Sequence, residues 1–258
     1  NWIRSSIALT GVGIPVYMNF FNENEGMIVT SSTFFGSSGG NSTSYKTTNG
    51  GINWAALSNP PGSNSYFLRN GFFLNMQIGW LCGQDTIFKT TNSGVNWSRS
   101  PAKGFNYQVK FINPSTGYSC ADSGRIYKTV DAGQTWSLQN NEFSNNLYNL
   151  SAVGNLCAAV GALSTIVRSS DGGISWAVSP HSFLFSDMIA IKAFNISDIV
   201  GISYYDFVTS YNGGATWEVY DIPFTPTTSM YFLNSQTGWV IVSGGGIMRT
   251  TNRGLTWD

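Results

Sequence analysis

The chain has 258 residues, of which 42% are apolar and only 10% charged, with 13 Lys and Arg balancing 13 Asp and Glu. A formal net charge of zero leaves no basic face to displace counterions from nucleic acid or to hold an anionic membrane surface. The apolar share suffices for a core, no run nears the about 20 apolar residues of a membrane helix, and the uncharged Asn, Ser, Thr and Gly that remain favour self-association and are typical of secreted proteins.

In chain order, residues 2–10 read as an outer strand supplied by the N-terminus, with Trp2 closing a copy of a turn that recurs downstream. The segment SSTFFGSSGGNSTS follows as a glycine- and serine-rich insertion carrying Phe34 and Phe35. YKTTNGGINW is the first complete turn, ending at Trp54, and SNPPGSNS leads to Tyr66. The second unit reads FFLNMQIGW, LCGQD, then TIFKTTNSGVNW to Trp97. In the third, YQVKFIN alternates as a strand, PSTG turns the chain, GYSCA follows, DSG turns it again, RIYKTV is a third strand and TWSLQN a fourth. The fourth and fifth units end at Trp176 and Trp217, with SPHSFLFSDM, ISYYDF and DIPFTPT as irregular connections, and the sixth runs from Met230 to Trp257. The closing tryptophans are 43, 39, 40, 41 and 40 residues apart. A period near ~40 with turn signals every ~8–12 residues marks units of four short strands, none of which can bury both faces alone. We therefore expect an all-β fold: one β-propeller domain over residues 1–258, with six four-stranded antiparallel blades or, alternatively, seven, and with residues 2–10 completing the last blade.

The turn pattern is Ser/Thr, any, Asp/Asn, any, Gly, any, any, Trp. Its copies are Asn49, Gly51 and Trp54; Asn92, Gly94 and Trp97; Asp131, Gly133 and Trp136; Asp171, Gly173 and Trp176; Asn212, Gly214 and Trp217; and Asn252, Gly254 and Trp257. Asp or Asn is expected to bind a backbone N–H two residues on, glycine to take positive φ, and the Trp to add buried surface while needing one N–H partner. A group repeated six times is structural, because catalysis needs a unique acid and base. Asn in four copies also removes the charge an acid–base or metal role requires. This pattern resembles the Asp-box, or BNR, repeat. The fuller unit F-x-N-x-x-x-G-W…G-x-I-x-K-T-T-N-x-G-x-x-W is most similar to the photosystem II stability/assembly factor family and related propellers of secreted bacterial proteins. The resemblance implies a binding or scaffold role outside the cytoplasm: extracellular, cell-surface or periplasmic. Asp-box propellers also include sialidases and xyloglucan-cleaving glycosidases, so a carbohydrate-active hydrolase is the alternative, and a subunit of a surface assembly a third.

A glycosidase needs two convergent carboxylates. Asp85 and Asp122 share a register after the second strand and are the best pair, although each also fits a turn-forming role. The Arg-Ile-Pro element of sialidases is absent, and Arg168 and Arg249 stand one residue before the box where Lys46, Lys89 and Lys128 stand in other copies. Cys82, Cys120 and Cys157 read as buried thiols, and His181 has no Cys spacing suited to a metal, so no metal and no cofactor is expected. Phe34, Phe35, Tyr66, Tyr204, Tyr205 and Phe224 lie in irregular segments amid Ser, Gly and Asn and are the candidates for binding a protein partner, a second copy or a glycan.

Overall fold

The computed structural model describes residues 13–32, 43–58, 60, 67–140, 143–181 and 186–258. Among them the structure is strands and turns, with two single-turn 3-10 segments at Asp122–Gly124 and Ala162–Ser164. Among the described residues no helix is long and apolar enough to cross a membrane. The outer strand expected at residues 2–10 lies outside the described residues.

The strands form five sheets, each a meander in sequence order. The first holds β1 (Gly13–Phe20), β2 (Gly26–Ser32), β3 (Thr43–Thr47) and β4 (Ala55–Leu57). The second holds β5 (Asn70–Phe73), β6 (Gly79–Thr90), β7 (Ser98–Phe111), β8 (Gly117–Ala121), β9 (Ile126–Thr129) and β10 (Ser137–Asn140). The third comprises β11 (Leu147–Val153), β12 (Leu156–Gly161), β13 (Ile166–Ser169) and β14 (Ala177–Val178). The fourth comprises β15 (Met188–Ala193), β16 (Ile199–Ser203), β17 (Asp206–Ser210) and β18 (Glu218–Asp221). The fifth has only β19 (Pro226–Phe232), β20 (Gly238–Val242) and β21 (Ile247–Thr250).

This corrects the expected blade count. The all-β propeller class holds, but the repeats fold into five sheets of three to six strands, not into six or seven four-stranded blades. The cause lies in β7, a single strand of 14 residues. Its start pairs with β6, Ser98 opposite Lys89 and Phe105 opposite Gln84. Its end carries Gln108, whose carbonyl accepts from Ser119 Oγ on β8 at 2.8 Å. No reversing turn interrupts PAKGFN. Gly104 takes φ 96° and gives its N–H to Asp85 Oδ1 at 2.7 Å, while Asn106 Nδ2 ties the carbonyls of Gly83 and Ala102 at 3.0 and 2.7 Å. The fourth strand of one repeat thus runs unbroken into the first strand of the next.

The chain packs as two compact units, Asn1–Ser119 with Thr129–Ser137, and Cys120–Lys128 with Leu138–Asp258. In the first, Met27 and Val29 of β2 pack with Leu68, Phe73, Leu81 and Phe88. In the second, Ala158 and Val160 of β12 and Ile166 of β13 pack with Met188, Ile191 and Ile199, and Val200 and Ile202 of β16 pack with Phe232 and Val240. Middle strands are buried along their whole length, as in β8, β12 and β16. That is why they read as unbroken apolar runs, whereas the outer strands β4, β14 and β18 are mostly exposed.

Candidate functional site

Each repeat is held by two turns on one side of its sheet. In five repeats the first turn uses the Asn of F-x-N, or of A-F-N at residues 193–195. Asn22, Asn75, Asn113, Asn195 and Asn234 each accept two backbone N–H groups, two and three residues on, at 2.8–3.0 Å. The Phe before it lies over the Gly that opens the next strand; a Cβ on Gly79 would stand 2.1 Å from the Phe73 ring and one on Gly117 2.8 Å from Phe111.

The second turn is the recurring Ser/Thr-x-Asx-x-Gly. The hydroxyls of Thr47, Thr90, Thr129, Ser169, Ser210 and Thr250 accept the glycine N–H four residues on at 2.8–2.9 Å. Each hydroxyl donates in turn to the Asx Oδ1. That oxygen accepts the N–H four residues on, at Asn53, Asn96, Thr135, Ser175, Thr216 and Thr256, rather than two. The six glycines have φ of 79° to 88°. The residues before them are left-handed as well: Gly50, Ser93, Ala132, Gly172, Gly213 and Arg253. The N–H of that residue donates to a carbonyl of the first turn, as Gly50 to Asn24 and Gly213 to Ser197, both at 2.8 Å. The two turns of a repeat are thereby clasped together. Four of the six closing tryptophans find an indole acceptor, whereas Trp136 Nε1 and Trp176 Nε1 are buried with none among the described residues.

The candidate acids serve hairpins. Asp85, at φ 55°, holds the Gly104 N–H, and Asp122 pairs with Arg125 Nη1 at 2.5 Å. Among the described residues no three His, Cys, Asp or Glu gather as a metal site. The three cysteines are buried and form no disulfide among the described residues, and burial pushes the Cys82 thiol up to about 12.

Of the predicted binding aromatics, Phe34, Phe35 and Tyr66 lie outside the described residues. Phe224 packs edge-on against Trp257 at 5.6 Å, within the core. Tyr204 and Tyr205 stand at the tip of the β16–β17 hairpin, 40% and 61% exposed. Ser203 Oγ fixes that tip by accepting the N–H groups of Tyr205 and Asp206 at 3.1 and 2.9 Å. Burial, reinforced by the Asp221 charge, raises the Asp206 carboxyl above its ordinary value.

At the other end of this sheet, on the side of the clasped turns, the second unit opens a cleft of about 490 Å³. It is lined by Gly154, Asn155, Leu156, Arg168 and Ser170 of one repeat and by Ile196, Asn212 and Gly213 of the next. Arg168 is its one charged lining residue, with Nη1 3.3 Å from the Gly213 carbonyl. Ile196 stands 65% exposed on the rim. The sequence marks Arg168 only as one of a repeated basic position. The cleft is missed because its walls come from turns of two different repeats.

The comparisons with known proteins fit this architecture. The family model described as photosynthesis system II assembly factor YCF48 matches residues 2–190. A solved YCF48 bound to D1 peptide is 18% identical, with a TM-score of 0.74 over 98% of this chain and 82% of that one. YCF48 from Cyanidioschyzon merolae is 18% identical, with a TM-score of 0.72 over 96% and 85%. A GH74 xyloglucanase from Xanthomonas campestris is 13% identical, with a TM-score of 0.65 over 89% of this chain and 43% of that one. No curated protein matches the sequence. At these identities the structural likenesses show the fold alone, but the family model spans well over half of the residues, and the chain belongs to the photosynthesis system II assembly factor YCF48 family, a group of BNR-type β-propellers.

Proposed function

We propose that this chain is a non-enzymatic binding module that holds an extended segment of a protein partner in the cleft beside Arg168. The observation that carries this reading is the makeup of the cleft: one cation, amide and hydroxyl side chains, backbone, and an exposed isoleucine rim. A guanidinium suits a carbonyl or carboxylate, and an aliphatic rim suits one apolar side chain. No carboxylate lines the cleft, so it can hold and orient a chain but offers no acid–base pair. Family membership supports the reading, as does a YCF48 solved with a D1 peptide. The Tyr204–Tyr205 tip is a second contact surface, because rigidly held exposed tyrosines make good anchors. An uncharged polar surface supports residence outside the cytoplasm.

The test is fluorescence anisotropy with a labelled D1 peptide. We expect saturable binding that weakens at least about ten-fold, roughly 1.4 kcal/mol, in Arg168→Glu and in Ile196→Asp. Wild-type protein that binds no peptide, or binding indifferent to both substitutions, would sink the reading. Xyloglucan turnover abolished by Asp206→Asn would establish a hydrolase instead.

A further inference from the structure

The repeats are not equal at their first turn. Phe20 with Gly26, Phe73 with Gly79, Ala193 with Ile199 and Phe232 with Gly238 each close a turn of five residues. In the fourth repeat Val153 pairs with Leu156, and only Gly154 and Asn155 lie between them. Gly154 takes φ 56° there, the left-handed backbone that the first position of a two-residue hairpin turn requires. The cleft beside Arg168 is therefore bordered by a turn three residues shorter than its counterparts.

The junction between the fifth and sixth repeats shows what fills this space elsewhere. Its first turn has full length and carries Asp198. Tyr211 stands where the cleft has Ser170, and Arg253 where it has Gly213. The Arg253 guanidinium lies 4.4 Å over the Tyr211 ring, with Nη2 3.5 Å from Asp198 Oδ1 and 3.3 Å from the Ser210 carbonyl. Arg253 is 6% exposed. A single charged side chain, reaching in from the turn of the following repeat, thus occupies that junction together with its counter-ion. Between the fourth and fifth repeats all three fillers are missing: the turn is short, the ring is a serine and the arginine is a glycine. About 490 Å³ stands open in their place. Every residue of both junctions belongs to one compact unit.

The charge is inverted as well. The position before the turn hydroxyl is Thr209 in the filled junction and Arg168 in the open one. Arg168 gives one N–H to the Gly213 carbonyl at 3.3 Å, and among the described residues no carboxylate pairs with it. A guanidinium has five donors and is matched best by a carboxylate.

We infer that the open junction is completed by an acidic side chain of the partner segment, inserted as Arg253 is inserted next door, with its carboxylate on Arg168 and an adjoining aliphatic residue on Ile196. A side chain is the occupant, not a chain terminus, because the filled junction takes a side chain from backbone that passes over it. The shortened turn of the fourth repeat is what makes this junction, and not its neighbour, the reader. The inference rests on the cleft being a peptide site and adds which residue it selects.

The experiment is fluorescence anisotropy with three labelled heptapeptides of alanine that carry leucine third. The first has glutamate fifth and a terminal amide, the second glutamine and a terminal amide, the third glutamine and a free terminal carboxylate. The glutamate peptide is expected to bind at least about ten-fold tighter than either glutamine peptide. Arg168→Gln should bring it to the level of the glutamine amide. Ser170→Tyr, which restores the ring that Tyr211 supplies next door, should abolish the preference with an unchanged circular dichroism spectrum. Should that variant misfold, replacing residues 153–156 by the turn sequence of residues 232–238 closes the same space and should do the same. Equal affinity for the glutamate and glutamine amides overturns the inference. So does tightest binding of the free terminus, a preference that survives closure of the cleft, or no binding of any heptapeptide. Binding of the D1 peptide that persists through such a result leaves the peptide reading standing, so the two can fail separately.

Discussion

At the scale of single residues, the turns show why Asp and Asn interchange. In the carboxylate copies the hydroxyl four residues on donates to the carboxylate, Thr135 to Asp131 Oδ2 at 2.6 Å and Ser175 to Asp171 Oδ2 at 2.5 Å. In two amide copies the direction reverses, Asn212 Nδ2 to Thr216 and Asn252 Nδ2 to Thr256, both at 2.8 Å. A hydroxyl serves either partner, so the geometry survives the loss of charge. The charge shows in acid. The Thr135 hydroxyl and N–H hold Asp131 at about 2, and Ser175 holds Asp171 lower still. An unfolded Asp titrates near ~3.9. Both carboxylates therefore stabilise the fold above that value, and the contribution is lost as pH falls through the folded value. Asp131→Asn is expected to leave the melting temperature at neutral pH nearly unchanged and to flatten its decline from about pH 4 to about pH 2, read by thermal denaturation across that window. Arg253 is a different case. It is left-handed, 6% exposed, 4.4 Å over the Tyr211 ring and 3.5 Å from Asp198. Arg253→Gly relieves the backbone but leaves this pocket empty. A net destabilisation of about 1–3 kcal/mol in urea unfolding is expected, since a buried charge partner and its packing are both lost.

At the scale of one repeat, the unit is a hairpin closed by two clasped turns and a ring laid on a glycine. Gly79→Ala sets a methyl 2.1 Å from the Phe73 ring. Overpacking of this kind costs about 1–3 kcal/mol, and the loss should appear in the urea midpoint with the slope unchanged. Thr90 is 1% exposed and accepts the Gly94 N–H at 2.9 Å. Thr90→Val orphans that N–H and should cost about 1–3 kcal/mol, whereas Thr90→Ser, which keeps the hydroxyl, should cost well under half as much. These devices were partly legible. The motif residues were readable because each is forced by local chemistry: positive φ, a short side-chain acceptor, an aromatic ring. The carbonyl that each second turn engages was not, because it belongs to a turn some 16 to 26 residues away in the chain. The cleft beside Arg168 was illegible for the same reason, being bounded by turns from two repeats.

At the scale of the whole molecule, packing and hydrogen bonds, more than charge, hold the fold. Arg125 pairs with Asp122 and Arg253 with Asp198, each as a single partly exposed ion pair. Salt screens exposed charges, with a Debye length of about 8 Å at physiological strength. The melting temperature should accordingly move little between about 0.05 and about 0.5 M salt, measured by differential scanning fluorimetry. The sequence alone determined the β class, the period, the turn chemistry and the family, because these rest on contacts within some 40 residues and recur six times. Only the tertiary structure decided how repeats divide into sheets, since PAKGFN is compatible with a turn until Asp85 and Asn106 tie it as a strand. It alone decided which tyrosines stand out and which aromatic, Phe224, is absorbed by Trp257. Exposure of a side chain depends on what the neighbouring sheet places opposite it, and a repeat that recurs along the chain looks the same whether or not its face is covered.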